Sequence, residues 1–259
     1  MKKLFSTPFL IFIFISALFS CSSSLEKNDD NNSSDKSYYY PNDLMYFSQD
    51  FYLAVRYEDP LEAYVDTLSK LDPDLLSKDL NSYNKSLAFW INVYNSLVQV
   101  KILSDEKSFQ DQEQFFNSKD LVVAGTKVSL NDLEHGILRL KDSDNALVKK
   151  FKLDSLDYRI HFTMNCGAAS CPAIAYYKPE TIQDDLTNAE NLFIVQSSVY
   201  DTLSNTLEIS ELLKWFAEDF GGDQGIYKVM VKNNIIVENI NPKIIYKPYD
   251  WELKSRNYQ

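Results

Sequence analysis

The sequence predicts an α+β fold, a single domain in which several helices pack around a small mixed or antiparallel sheet. Apolar residues, Tyr94 among them, recur at three- and four-residue steps over 84–103, which indicates a long helix. Apolar and polar residues alternate over 158–165, which indicates a strand. Helices and strands follow one another without a regular βαβ order, so α+β is favoured over α/β.

Short local signals place the remaining elements. Pro60 suits the first residue of a helix, Ser129 and Asp132 form a capping box, and Gly221 is typical of a residue that ends a helix. The predicted helices run over 44–56, 60–71, 84–103, 129–140, 180–196 and 210–221. The predicted strands are two hairpins over 121–128 and 199–209, the strand over 158–165, and a final strand that follows a further helix within 226–246.

Composition narrows the functional classes. The chain of 259 residues has a formal charge of −11 and six glycines, none in a G-x-G-x-x-G or P-loop pattern. Its basic residues form no cluster that would contact phosphates, so we expect no nucleic-acid partner. We also expect no cofactor.

The first twenty residues are typical of an export signal. Lys2 and Lys3 precede an apolar run over 4–19 that is short for a membrane span. The run ends in Leu-Phe-Ser-Cys, which resembles the bacterial lipobox, in which the cysteine is acylated and becomes the mature N-terminus. We therefore predict a signal peptide over 1–20 and a lipid anchor to a membrane through Cys21. An ordinary cleaved signal with an unmodified cysteine is the alternative.

The rest of the chain divides into a tether and a domain. Residues 22–37 are polar with Leu25 as their one apolar residue, so 21–37 should form a lipidated, flexible tether. Residues 38–259 contain no second linker or internal repeat, which predicts one globular domain. The predicted location is the bacterial cell envelope, on its periplasmic or surface face.

The segment 165–172 (NCGAASCP) is the most unusual in the chain. Small side chains between its cysteines would let backbone N–H groups near Gly167 approach an oxyanion, with Asn165 and Cys171 in supporting positions. With Cys21 acylated, a thiol nucleophile must be Cys166 or Cys171, and we favour Cys166.

His135 and His161 are the two histidines of the chain. Along an extended strand His161 would lie about 16 Å from Cys166, whereas a base must approach within about 3 Å. His135 lies on another element, so the predicted dyad is Cys166 with His135, and His161 supports it.

Two further residues are candidates for orienting the imidazole. Glu134 shares a helix face with apolar residues, so its carboxylate should be partly buried, with Arg139, His161 or the amides near Asn92 as partners. Asn92, Asn95 and Gln99 share another face of the long helix, where stacked amides either bind a neighbouring loop or line a polar pocket. For Glu134, a structural salt bridge is the alternative.

The cysteines also allow two non-catalytic interpretations. An exported protein can form a disulfide between Cys166 and Cys171, which would remove the nucleophile. Alternatively, these cysteines together with His135 and His161 match the ligand types of a structural zinc site, although we predict no metal.

Four segments, 89–95 (FWINVYN), 133–139 (LEHGILR), 161–172 and 249–251 (YDW), together resemble the domain-of-unknown-function family 547, in the order of that family. The family-like part spans about 84–252. The resemblance implies a domain found in exported bacterial proteins and, in plants, fused to coiled coils. It implies no established reaction, and a similarity to papain-like or transglutaminase-like thiol enzymes is an analogy only.

The sequence leaves two hypotheses about function. In the first, the domain is a cysteine hydrolase or transferase that acts on amide bonds of a peptide or glycan–peptide ligand. Cys166 attacks the carbonyl, and His135 takes and returns the proton. In the second, the domain binds a partner without catalysis, and the Cys, His and Glu residues form a disulfide or a buried polar network.

Overall fold

Most of the protein described by the structure is helical. A computed structural model describes residues 41 and 43–258, and the predicted signal peptide, Cys21 and the tether lie outside them. The α-helices are α1 (Leu44–Tyr57), α2 (Glu62–Lys70), α3 (Pro73–Asp79), α4 (Tyr83–Ser104), α5 (Gln112–Asn117), α6 (Ala146–Phe151), α7 (Ile182–Ser197), α8 (Leu212–Trp215) and α9 (Gly222–Lys232). Two 3₁₀ helices, Glu106–Gln110 and Tyr158–Phe162, and a π-helix, Asp132–Leu138, complete the helical part.

The strands form two small sheets. They are β1 (Leu121–Val123), β2 (Thr126–Val128), β3 (Val199–Asp201), β4 (Thr206–Ser210) and β5 (Lys243–Lys247). The first two strands form an antiparallel hairpin. The other three form a mixed sheet in the order β3-β4-β5, in which β4 pairs with β3 antiparallel and with β5 parallel. The predicted α+β class with a small mixed sheet is confirmed.

One predicted strand is wrong. The alternating segment 158–165 forms the 3₁₀ helix Tyr158–Phe162 and a following loop. Asp157 caps this helix, because its Oδ1 accepts from the N–H of Arg159 at 3.0 Å. Ile160, His161 and Phe162 are all buried, so the alternation in the sequence does not separate a buried face from an exposed one.

Helix α4 forms the centre of the larger hydrophobic core and is buried on every side. Side chains around its whole circumference are fully buried, including Leu87, Trp90, Ile91 and Val93. The sequence predicts a single apolar stripe on this helix, but a helix that is covered all round also buries its polar residues. A second, smaller core packs between β4, α7, α8 and α9.

Two of the three predicted amides of α4 bind backbone groups through both polar atoms, whereas Gln99 accepts from the N–H of Arg256 and its buried Nε2 has no partner among the described residues. Asn92 donates to the carbonyl of Tyr177 at 2.9 Å and accepts from its N–H at 2.8 Å. Asn95 donates to the carbonyl of Thr163 and accepts from the N–H of Asn165, both at 2.9 Å. Of the two alternatives that the sequence leaves open, binding to neighbouring loops is therefore the one observed.

None of the helices in the part of the chain that the structure describes is both long and apolar enough to span a membrane.

Replacing Asn95 by alanine should destabilise the domain by about 3 kcal/mol, because the buried carbonyl of Thr163 and N–H of Asn165 both lose their partner. The measurement is the urea-unfolding midpoint at constant m-value. Asn81→Ala is the matched control, since Asn81 is exposed and should change stability by less than about 0.5 kcal/mol. Equal midpoints for the two variants would contradict a structural role for Asn95.

Candidate functional site

A cavity of about 300 Å³ is lined by residues of α4, the π-helix, α5, α8, the segment around Cys166 and the C-terminal segment. Four predicted site residues line it, namely Glu134, His135, His161 and Cys166. The remaining lining residues are Tyr94, Gln112, Glu113, Phe116, Asn117, Asn131, Met164, Leu212, Trp215, Phe216, Tyr249 and Trp251. A straight strand over 158–165 would keep His161 about 16 Å from Cys166. The observed 3₁₀ helix removes this restriction, and both residues line the cavity.

The π-helix carries Glu134 and His135 to the cavity. The predicted capping box at its start is confirmed, because Ser129 N–H donates to Asp132 Oδ2 at 2.9 Å and Asp132 N–H donates to Ser129 Oγ at 3.0 Å. The helix is of the π type and not the expected α type, with the N–H of Arg139 donating to the carbonyl of Glu134 at 2.8 Å. Such i to i+5 turns are frequent at functional sites.

Glu134 is paired with a tyrosine of α4. Its side chain is 13% exposed, so the predicted burial is confirmed. The hydroxyl of Tyr94 donates to Glu134 Oε2 at 2.6 Å. Burial raises the pKa of Tyr94 well above its usual value, and the Glu134 carboxylate raises it further, so Tyr94 remains a phenol donor. The sequence misses this partner because it treats Tyr94 as part of the apolar stripe.

Four side chains form a continuous hydrogen-bonded network from the cavity into the protein. Arg139 Nη1 donates to Nδ1 of His135, and Arg139 Nε donates to Oδ2 of Asp219, both at 2.6 Å. His161 Nε2 lies 2.8 Å from the same oxygen of Asp219. The ring of Phe216 stacks on His161 with ring centroids 4.0 Å apart. The guanidinium carbon of Arg139 lies 4.4 Å from the centroid of the Phe216 ring.

This network fixes the hydrogen positions on both histidines. Arginine only donates hydrogen bonds, so Nδ1 of His135 accepts and a neutral His135 carries its hydrogen on Nε2. Burial raises the pKa of Asp219, but hydrogen bonds from His161 and Arg139 outweigh burial and hold this pKa well below its usual value. Burial lowers the pKa of His161, and the bond to Asp219 offsets only part of that effect. His161 is therefore neutral and donates from Nε2 to an ionised Asp219.

The two cysteines of the segment 165–172 form a disulfide in this structure. Cys166 is half-buried at the cavity, whereas Cys171 is buried. The hydroxyl of Tyr249 donates to Sγ of Cys171 at 3.1 Å and lies 3.4 Å from Sγ of Cys166. The nucleophilic role of Cys166 and its pairing with His135 therefore stay predictions that concern the reduced protein.

Backbone amides of this segment are engaged within the protein. The N–H of Gly167 donates to Oδ1 of Asn165 at 2.9 Å, and the N–H of Cys166 donates to Sγ of Cys171 at 3.0 Å. The N–H of Ala169 donates at 2.8 Å to a carbonyl of the C-terminal segment. An oxyanion at Gly167 would therefore have to displace the side chain of Asn165.

Asn92 and Asn165, two of the predicted supporting residues, bind backbone and not the imidazole. Both polar atoms of the Asn92 amide are used by Tyr177, so this side chain is not available to orient His135. Asn165 Nδ2 donates to the carbonyl of Pro172 at 2.6 Å, which closes the cysteine-containing segment on itself. Both residues shape the site indirectly.

Three aromatic side chains form one wall of the cavity. Trp215 and Tyr249 have ring centroids 4.9 Å apart, Tyr249 and Trp251 5.1 Å, and Trp215 and Trp251 5.9 Å. Trp215 is 43% exposed, which is unusual for a tryptophan that packs against two other rings. Sequence reasoning missed Trp215 and Asp219, because neither lies in a recognisable motif.

Within residues 41 and 43–258, no group of three or more His, Cys, Asp or Glu side chains is arranged to hold a metal ion. The two sulfur ligands of the zinc alternative are bonded to each other. Zinc therefore has no candidate site in this part of the chain.

The fold and the site together define an α+β domain with an aromatic, acidic cavity beside a disulfide. Residues 78–194 match the model of a family described as "Protein of unknown function, DUF547", and the chain is similar to that family over this segment. The match includes Glu134, His135 and both disulfide cysteines and ends before Trp215. A search of curated proteins found no match, and a search of solved structures found none either.

Replacing Asp219 by asparagine should destabilise the domain by about 3–5 kcal/mol at pH 7, because Arg139 is buried and would lose its counter-charge. The free energy of unfolding in urea measures this. Glu218→Gln is the matched control, since the Glu218 side chain is 92% exposed.

The difference between wild type and Asp219→Asn should also depend on pH. The folded-state pKa of Asp219 is lowered, so its stabilising contribution is complete above the unfolded-state pKa of about 3.9 and is lost as the pH falls below it. The difference should therefore shrink between pH 5 and pH 2.5. A difference that stays constant over this range would contradict the ionised state assigned to Asp219.

Proposed function

We propose that the protein is an exported lipoprotein of the bacterial cell envelope whose domain binds, in the described cavity, a ligand that carries a positively charged amine. The observation that carries this proposal is the lining of the cavity, which combines carboxylates with an aromatic wall. The binding function corresponds to the second of the two hypotheses that the sequence leaves open.

The charge of the lining favours a cation. Glu113 and Glu134 both line the cavity, and among the described lining residues there is no Lys or Arg. In the observed network Nδ1 of His135 accepts from Arg139, whose charge is paired with Asp219, and His161 is hydrogen-bonded to the same carboxylate. An anionic ligand would therefore meet two like charges, whereas an ammonium group would be attracted.

The aromatic wall favours the same ligand class. Ammonium groups bind over the faces of Trp and Tyr rings, and the interaction strengthens where water is excluded. Trp215, Tyr249 and Trp251 supply such rings. Burial raises the pKa of Tyr249, and the nearby Glu134 carboxylate raises it further, which shows that carboxylate and ring lie close together. A volume of about 300 Å³ suits a side chain or the end of a peptide and not a whole folded partner. A peptide or glycan–peptide with a free amine meets these requirements.

Binding without a thiol reaction is favoured by two contacts. The sulfur of Cys166 is bonded to Cys171, so Cys166 has no free thiolate that could act as a nucleophile. Arg139 donates to Nδ1 of His135 at 2.6 Å, so this nitrogen has no free lone pair with which to take a proton. The amide-hydrolase proposal therefore requires both reduction of the disulfide and movement of Arg139.

The ligand class is tested with a matched pair of peptides. The lysine peptide acetyl-Ala-Lys-Ala-amide should quench the fluorescence of Trp215 and Trp251 and bind at least tenfold more tightly than its Nε-acetyllysine form. Glu134→Gln should weaken binding of the lysine peptide about tenfold, which corresponds to about 1.4 kcal/mol. Glu208→Gln, an exposed carboxylate on β4, is the control and should bind like the wild type. Equal affinities for the two peptides would refute the amine preference.

The lipid anchor is tested separately. Cells grown with an alkyne-bearing fatty acid should label the wild-type chain, and Cys21→Ser should abolish the label, because the predicted acyl acceptor is the sulfur of Cys21. Ser22→Ala, one residue further along, should remain labelled. Unchanged labelling of Cys21→Ser would show that this cysteine is not the anchor.

A further inference from the structure

We propose that the disulfide between Cys166 and Cys171 undergoes thiol–disulfide exchange with a dithiol that reaches it through the cavity, with Cys166 as the attacked sulfur and Cys171 as the leaving sulfur. This activity is separate from amine binding and does not depend on it. Three features of the site support the assignment of the two roles.

The first feature is access. Cys166 is half-buried and lines the cavity of about 300 Å³, where an incoming thiolate can approach its sulfur. Cys171 borders a different cavity of about 620 Å³, but the residue is only 6% exposed. The cavity-facing sulfur is therefore the more accessible of the two.

The second feature is the asymmetric hydrogen bonding of the two sulfurs. Sγ of Cys171 accepts from the N–H of Cys166 at 3.0 Å and from the hydroxyl of Tyr249 at 3.1 Å. The hydroxyl lies farther from Sγ of Cys166, at 3.4 Å. Donors that point at a sulfur stabilise its thiolate, and a more stable thiolate leaves faster in exchange. Cys171 is therefore the better leaving group.

The third feature is the rigidity of the segment that carries both sulfurs. Asn95 of α4 holds the N–H of Asn165, the residue before Cys166. The side chain of Asn165 holds the carbonyl of Pro172, the residue after Cys171. Because both ends of the segment are fixed, the two thiols remain neighbours after reduction and can form the disulfide again.

The exchange balances as a two-electron reaction. A thiolate of the dithiol attacks Sγ of Cys166, a mixed disulfide forms, and the bond to Cys171 breaks with its electron pair on the Cys171 sulfur. The second thiol of the dithiol loses its proton to solvent and attacks its partner sulfur in the mixed disulfide, which releases Cys166 as a thiolate. The dithiol is oxidised to a cyclic disulfide, and the protein gains two thiols.

The test uses the folded chain with Cys21→Ser, in which Cys166 and Cys171 are the two remaining cysteines. Glutathione is added, the reaction is stopped with iodoacetamide, and the modified cysteines are mapped by mass spectrometry. Glutathione should be found on Cys166 and the alkyl group on Cys171, with at least a tenfold bias. The reverse pattern, or equal modification, would overturn the assigned roles.

A second measurement tests the role of the tyrosine hydroxyl. Tyr249→Phe should slow reduction of the disulfide by dithiothreitol about three- to tenfold, while Tyr246→Phe on β5 should reduce like the wild type. Reduction that needs denaturant would show a purely structural disulfide and overturn the proposal. Alkylation of both cysteines in the untreated protein would also overturn it. Peptide titrations of the oxidised protein report amine binding independently of each of these outcomes.

Discussion

A polar side chain on a helix that is buried on all sides needs its partner inside the protein, and Asn92 and Asn95 of α4 find theirs on the backbone of neighbouring segments. Other buried polar atoms of α4, namely Trp90 Nε1, Ser96 Oγ and Gln99 Nε2, have no hydrogen-bond partner among the described residues. Asn95 pairs with the carbonyl of Thr163 and the N–H of Asn165 as a neighbouring strand would. This contact fixes the backbone of Asn165, the residue directly before Cys166. Gly167 then has a φ of +94°, which favours glycine, and a Cβ there would also lie 2.6 Å from the terminal methyl of Ile102 of α4.

The hydrogen-bonded network around Arg139 and Asp219 connects elements of the two hydrophobic cores. Arg139 ends the π-helix that packs on the α4 core, whereas Asp219 precedes Phe220 of the smaller core. Their ion pair is buried on both sides, so removing either partner leaves a charge without compensation. The same ion pair sets the hydrogen positions of both histidines. The buried ion pair thus connects the elements that carry the two cores and orients the histidines that line the cavity.

Structural features that depend on local interactions can be predicted from the sequence, whereas features that depend on long-range packing cannot. The capping box of Ser129 and Asp132 and the hairpins can be predicted, because each depends on residues close in the chain. The amides of α4 are recognisable by their spacing, but their partners lie 68 to 85 residues away along the chain. The predicted strand over 158–165 is wrong because Asp157, a local cap signal that the alternation obscures, begins a 3₁₀ helix there. The end of the segment is held by Asn95 of α4, a long-range contact that no local pattern encodes. Asp219 and Trp215 become site residues only through contacts with distant segments, so sequence reasoning could not find them.

Tyr249 links the two properties proposed for the site. Its ring belongs to the aromatic wall that would receive an amine, and its hydroxyl contacts both sulfurs of the disulfide. A ligand that moves this ring also moves a donor away from the Cys171 sulfur, which makes that sulfur a poorer leaving group. By linkage, reduction of the disulfide must change ligand affinity by the factor by which the ligand changes the reduction equilibrium. If amine binding displaces this ring, the two proposed properties are coupled thermodynamically through the hydroxyl group of Tyr249.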